Sequence, residues 1–137
     1  KQARQIPLQI IYHHGETLPV YTTSHIVSSY HDSKSNIDLD GVQFTDMPWL
    51  LGLDNNAISL SSHYQSILFQ RLFTLGVDSY QIAPFIQYLS ENPSESILGE
   101  SGQLSLSKDG FVIRTLPWVT FKDGVIHTEQ AHGRPNL

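Results

Sequence analysis

Histidine, serine and paired carboxylates are the residues of this chain with the chemistry for a reaction, and spacing decides whether any of them can act together. There are seven histidines. His13 and His14 are adjacent, so on a helix their rings diverge by about 100° and cannot share one ion. His25, His31, His63, His127 and His132 lie in unrelated contexts, with no H-E-x-x-H or H-x-E run. They are read as surface or structural residues, and no metal site is assigned. Gly99-Glu100-Ser101-Gly102 departs from the G-x-S-x-G spacing of a nucleophile elbow and precedes a strand rather than a helix, so Ser101 is read as a turn serine. Asp38, Asp40 and Asp46 flank a short extended run. Glycoside chemistry needs two acids facing each other, and Asp38 and Asp40 read instead as solvated turn residues. The chain has no cysteine, which removes thiolate metal sites, thiol nucleophiles and disulfides. No catalytic residue, metal or cofactor is assigned, and the chain is read as a non-enzyme.

Polar residues at strand ends point to binding. Asp46 lies just past the end of an extended run, Gly41–Thr45, and Thr22, Thr23 and Ser24 close an earlier one. In open α/β sheets, ligands bind beyond the carboxyl ends of parallel strands. Thr22, Thr23, Ser24, Thr45 and Asp46 are therefore the candidate cleft residues. Asp46 would meet an ammonium, although no Arg or Lys lies near Thr22–Ser24 to meet a carboxylate. Trp49 and Trp118 each follow a proline. Trp49 is the candidate partner anchor, held outward by Pro48 after a strand end.

Those positions depend on the surrounding elements. Residues 1–14 read as a helix with Pro7 inside it and Gly15 as its stop. Leu18–Ser24 and Gly41–Thr45 read as strands, with a polar loop over 28–40. Leu60, Tyr64, Ile67, Leu68 and Leu75 follow helical spacing, with Ser61 or Ser62 as cap and Gly76 as stop. Asp78 is expected to cap a second helix with Ile82, Phe85, Ile86 and Leu89 on its apolar face and a bend at Pro84. From Gly102 onward the period changes to alternation. Asp109-Gly110 and Asp123-Gly124 mark hairpin turns. Helices between strands, then hairpins, predict an α/β fold: a parallel sheet flanked by helices with a C-terminal antiparallel β-meander.

The chain has 137 residues, 39 % hydrophobic and 15 % charged, with a net charge of −5. Eight scattered Lys and Arg make no basic stripe, which excludes nucleic acid and a direct contact with anionic lipid. No apolar run approaches the ~20 residues of a membrane span. The chain opens at Lys1-Gln2-Ala3-Arg4 without a start Met and is read as an excised fragment whose targeting information lies elsewhere.

The run Gly102-Gln103-Leu104-Ser105-Leu106-Ser107-Lys108-Asp109-Gly110, followed by Trp118-Val119-Thr120-Phe121-Lys122-Asp123-Gly124, resembles the closing hairpins of type I periplasmic binding proteins. Gly76-Val77-Asp78-Ser79-Tyr80-Gln81-Ile82-Ala83 resembles the G-Y-D-A helix start of that superfamily, with Val77 and Ser79 replacing its usual Tyr and Ala. A narrower resemblance is to the LpoA/LppC lipoprotein family. It is carried by Ala3-Arg4-Gln5-Ile6, by Leu18-Pro19-Val20-Tyr21-Thr22-Thr23-Ser24-His25 and by Leu39-Asp40-Gly41-Val42-Gln43-Phe44-Thr45-Asp46-Met47-Pro48-Trp49-Leu50. It continues in Arg71-Leu72-Phe73-Thr74-Leu75-Gly76-Val77-Asp78 and Leu116-Pro117-Trp118. The resemblance implies a partial C-terminal periplasmic-binding-like domain over residues 1–129, mainly one lobe, with a tail over 130–137. It also implies a non-catalytic lipoprotein on the periplasmic face of the outer membrane of a Gram-negative bacterium, held there by an N-terminal lipid anchor absent from this sequence. The implied partner is a class A penicillin-binding protein, a peptidoglycan synthase whose transpeptidase the family stimulates. The alternative function is small-molecule, amino-acid-like binding or sensing on the same fold.

Overall fold

The computed structural model describes residues 4–13, 15, 18–27, 30, 32–52 and 66–128. The chain divides into two compact units, Lys1–Asp46 with Trp118–Leu137, and Met47–Pro117. The expected tail over 130–137, the cap at Ser61 or Ser62, Leu60, Tyr64, His14, His31, His63 and His132 lie outside the described residues.

The first unit is built on a four-stranded sheet in the order β1-β2-β6-β7. Its strands are β1 (Val20–Tyr21), β2 (Val42–Thr45), β6 (Trp118–Lys122) and β7 (Val125–Thr128). β1 runs parallel to β2, pairing Val20 with Val42, while β2–β6 and β6–β7 are antiparallel. Side chains alternate between the faces of a strand, so the register puts Val42, Phe44, Val119 and Phe121 on one face, and all four are buried. The Phe44 and Phe121 rings stack there at 5.3 Å.

The expected strand Leu18–Ser24 contracts to Val20–Tyr21, although Thr22 still donates its N–H to Gln43 O (3.0 Å). The expected loop over 28–40 holds a short helix, α2 (Ser33–Asn36), and a 3-10 turn (Ile37–Leu39). Asp32 starts α2 by accepting from Ser35 N (3.2 Å), an N-cap that polar composition alone does not distinguish from a loop. The first helix, α1, covers Gln5–Tyr12. Pro7 sits in its first turn, where an N–H has no helical partner to lose, so it does not break the helix. The Arg4 guanidinium ties this end to the 33–39 segment, donating to Asn36 Oδ1 (2.6 Å) and lying 3.6 Å from the Asp38 carboxylate.

Asp123-Gly124 makes the β6–β7 turn, with positive φ at both residues (53° and 69°), as a two-residue hairpin loop matched to strand twist requires. Asp40 holds that turn by accepting from Asp123 N (3.0 Å) and Gly124 N (2.8 Å). A Cβ on Gly124 would lie 2.1 Å from Ser33 O, so the backbone itself excludes any side chain there.

The second unit begins with α3 (Pro48–Leu51) and continues with α4 (Ile67–Ile82). α4 runs through Gly76 and Asp78, which corrects the expected stop and cap. A glycine inside a helix costs only about 1 kcal/mol relative to alanine, and tertiary packing of the helix offsets that. A 3-10 turn over Ala83–Phe85 contains Pro84 and leads into α5 (Ile86–Glu91), the bend expected at that proline. Strands β3 (Ile97–Gly99), β4 (Gly102–Leu106) and β5 (Val112–Thr115) form an antiparallel sheet. Ile82, Leu89, Leu104 and Leu106 make its core, with Ile97 against them. The C-terminal strands are thus antiparallel as expected, but they are shared between two sheets. The switch falls at Pro117, whose missing N–H cannot continue a ladder.

Candidate functional site

Because β1 and β2 are parallel, the segments after them leave the sheet at the same end. Thr22, Thr23 and Ser24 come after β1 there, and Thr45 and Asp46 close β2. The structure therefore brings the five sequence-predicted cleft residues to one end of one sheet. Their side chains are not presented alike. Thr22 and Thr45 are half-buried and Thr23 is exposed, whereas Ser24 is buried in a 3-10 turn, Ser24–Ile26. Asp46 is 1 % exposed. Its Oδ2 accepts a hydrogen bond from the Tyr30 hydroxyl. A carboxylate taken out of water needs such a donor, and Tyr30 supplies it from the connection between β1 and β2. In this arrangement Asp46 is buried with one carboxylate oxygen engaged by Tyr30.

Trp49 is turned inward. It is 5 % exposed, and its ring packs on Phe73 of α4 at 5.6 Å. Its backbone N–H donates to Glu100 O (3.2 Å). This corrects the expectation of an outward anchor. Pro48 occupies the first position of α3, where its fixed φ suits a helix start, and the turn after it carries Trp49 into the unit. The indole N–H lies buried with no acceptor among the described residues. Met47, which precedes this turn, lies under Thr74 of α4, whose Oγ1 is 3.3 Å from the Met47 sulfur and bonds Gln70 O at 2.8 Å.

A buried polar cluster that sequence reasoning misses joins α4 to the β3–β4 turn. Asp78 Oδ1 accepts from Glu100 N (2.7 Å), and Oδ2 accepts from Ser101 N (2.8 Å) and from the Ser101 hydroxyl. The two turn amides and the hydroxyl form a small cradle for one carboxylate, and charge-assisted bonds of this kind are strong. A Cβ on Gly99 would lie 2.7 Å from Asp78 Oδ1, which explains glycine at that turn position. Ser101 is fully buried and its proton is committed to Asp78. Its burial puts it out of reach of a substrate at the surface. The signal for this pairing was present in two separate places, an acid on a helix and a Gly-Glu-Ser-Gly turn, but nothing local connects them.

Among the described residues no group of three or more His, Cys, Asp or Glu side chains is placed to hold a metal ion, and no helix is long and apolar enough to cross a membrane.

The model of a family described as "LppC putative lipoprotein" matches residues 1–124. The penicillin-binding protein activator LpoA of Edwardsiella ictaluri (strain 93-146) is 28 % identical over 116 residues, which is 83 % of this chain and 17 % of that protein. The same activator of Dickeya chrysanthemi (strain Ech1591) is 32 % identical over 92 residues, 64 % of this chain and 13 % of that protein. The chain therefore spans only a small part of the curated relatives it matches. The solved C-domain of LpoA (YraM) from Haemophilus influenzae, a regulator of PBP1A, superposes with a TM-score of 0.78 at 20 % identity, over 93 % of this chain and 41 % of the other. A "putative branched-chain amino acid ABC transporter" from Chromobacterium violaceum ATCC 12472 superposes with a TM-score of 0.61 at 27 % identity, over 88 % of this chain and 38 % of the other.

Proposed function

Because the chain belongs to the LppC lipoprotein family, matched over residues 1–124, we propose that it is part of the C-terminal domain of a penicillin-binding protein activator. That family match is the observation that carries the reading, together with relatives named for this activity. The described polar cluster serves the packing of the second unit. The buried acid of the second unit is occupied by turn donors, and the serine nearest to it has its proton tied up.

The finer reading is that the protein docks onto a class A penicillin-binding protein and stimulates its transpeptidase without catalysing a step itself. It does so from the periplasmic face of the outer membrane, where a lipid anchor elsewhere in the longer protein holds it. Activation of this kind is a population shift, in which the activator binds the active synthase conformation more tightly than the resting one. The test is peptide crosslinking by a purified class A synthase, with and without the longer protein that contains this chain. Crosslinking is expected to rise and to saturate with activator. No change at saturating activator would overturn the reading.

A second reading, amino-acid-like ligand binding, is favoured by one observation: Thr22–Ser24 and Thr45–Asp46 share one sheet end. The contact between Asp46 and Tyr30 weighs against it. Calorimetric titration of the longer protein with a panel of amino acids separates the two readings, since only the second expects heat of binding without a synthase present.

A further inference from the structure

The triplet Lys-Asp-Gly occurs twice, at Lys108–Gly110 and at Lys122–Gly124, and the copies turn two hairpins, β4–β5 and β6–β7. An aspartate followed by glycine carries a latent reaction, because no Cβ shields the glycine nitrogen from the carboxyl group before it. The nitrogen attacks the aspartate Cγ. An N–Cγ bond forms, the bond from Cγ to its hydroxyl oxygen breaks, and that oxygen leaves as water together with the amide proton. Water then opens the cyclic imide. Addition at Cγ restores aspartate, whereas addition at the main-chain carbonyl leaves isoaspartate, in which the backbone runs through the side-chain carbon. The two triplets share this chemistry, so only their surroundings can set them apart.

At Gly124 the structure opposes the first step. The Gly124 N–H donates to Asp40 Oδ1 (2.8 Å), and the Asp123 N–H donates to Oδ2 of the same carboxylate (3.0 Å). Charge-assisted bonds are the stronger ones, and proton loss from the Gly124 nitrogen would set an anion beside that carboxylate, against their repulsion. Gly124 is buried, with the Ser33 backbone where a Cβ would stand, which leaves its nitrogen little room to swing toward Asp123 Cγ. Gly110 differs on each count. Its N–H donates to a neutral acceptor, Ser107 O (3.0 Å). Lys108, Asp109 and Gly110 are all exposed, and a Cβ on Gly110 would meet nothing within 4 Å among the described residues. An exposed turn of this kind opens at low free-energy cost.

We propose that Asp109-Gly110 is a site of spontaneous isoaspartate formation, and that Asp40 protects the identical triplet at Asp123-Gly124 from the same reaction. The consequence falls on one hairpin. Isoaspartate inserts an extra main-chain carbon into a loop that Ser107 closes in three ways. The Ser107 N–H donates to Phe111 O (2.8 Å), its carbonyl accepts from Gly110 N, and its hydroxyl accepts from Phe111 N (3.0 Å). A lengthened loop cannot keep all three bonds, so the modification loosens the end of β4–β5 and leaves the β6–β7 turn intact.

The test is ageing of the longer protein in heavy-oxygen water at neutral pH, folded and guanidinium-unfolded, then digestion in ordinary water and peptide mapping by mass spectrometry. Each imide opened by solvent retains a heavy oxygen, and isoaspartate is told from aspartate by its fragmentation. In the unfolded chain the two triplets are expected to label at similar rates. In the folded protein Asp109 is expected to label several times faster than Asp123. Equal labelling of both sites in the folded protein would overturn the proposal. So would an Asp109 that stays unlabelled when folded while the unfolded chain labels. Asp40→Ala supplies a second arm. Labelling at Asp123 should rise toward the rate at Asp109, with Asp109 itself unchanged, and an unchanged rate at Asp123 would remove Asp40 as the protecting group. The wild-type comparison decides the proposal even where that variant fails to fold. No synthase enters this experiment, so its outcome is separate from that of the activator reading.

Discussion

Two buried side chains carry most of what can be tested at the level of single residues. Asp78 satisfies two amides and a hydroxyl at once. Replacing it by alanine strands three donors, two of them buried, and the expected loss is about 3 kcal/mol, the scale of losing bonds to a charged group. Urea unfolding should show a lower midpoint, and Ser101→Ala should lower it less, because the two amide bonds to Asp78 survive. Trp49 gives a contrast of a different kind. Its ring fills core space against Phe73, but its indole N–H has no acceptor among the described residues. Trp49→Ala should therefore cost about 3–5 kcal/mol by opening a cavity. Trp49→Phe should cost far less, since it keeps much of the ring and removes a buried donor with no acceptor among the described residues. Thermal or urea unfolding of both variants decides this, and equal losses would mean that the N–H matters.

At the scale of elements, three glycines separate the local from the non-local. Gly76 lies in the middle of α4, and a methyl group added there would meet nothing within 4 Å among the described residues. Gly76→Ala should stabilise by about 1 kcal/mol through helix propensity and a less flexible unfolded chain. Gly110 and Gly124 both end Asp-Gly pairs and both have positive φ (79° and 69°). Alanine at Gly110 meets nothing among the described residues and should lose only the ~1 kcal/mol of a left-handed residue. Alanine at Gly124 collides with the Ser33 carbonyl as well and should destabilise several times more. Unfolding midpoints of the three variants should rank Gly76→Ala above wild type, Gly110→Ala below it and Gly124→Ala lowest. Both Asp-Gly turns were legible from sequence, Asp123-Gly124 because a two-residue hairpin loop selects those residues and Asp109-Gly110 because a longer hairpin loop selects glycine at its left-handed position. The clash that sets Gly124 apart was not, since Ser33 is distant in the chain.

For the whole molecule, the proposed mechanism has two separable parts, contact and tethering. An anchored activator reaches its synthase at an effective concentration set by the tether rather than by its bulk concentration. Removing the anchor from the longer protein should therefore raise the concentration needed for half-maximal crosslinking in a membrane-reconstituted assay and leave the maximal stimulation unchanged. A lower maximum would place part of the activation in the anchor itself. The modest charge content, 15 %, leaves few groups for long-range steering, so the contact itself should owe more to packing of apolar and aromatic side chains than to ion pairs.

Alternation, turn chemistry and the motifs of a family are local patterns, and the sequence by itself determined the features that such patterns encode: an α/β class, the Asp-Gly hairpins, the bend at Pro84 and membership of the LppC lipoproteins. Chain order also placed Thr22–Ser24 and Thr45–Asp46 at the ends of two strands, and a parallel pairing was enough to bring them to one sheet end. Only the tertiary structure decided which way side chains face and which partners they find. It turned Trp49 inward, gave Asp46 the hydroxyl of Tyr30, carried α4 through Gly76 and divided the closing strands between two sheets at Pro117. Each of these rests on groups separated in sequence, such as Asp78 and Ser101, whose attraction has no counterpart in local composition. A helix cap and a tertiary carboxylate look alike in a string of residues. They differ only in where the chain brings the donors.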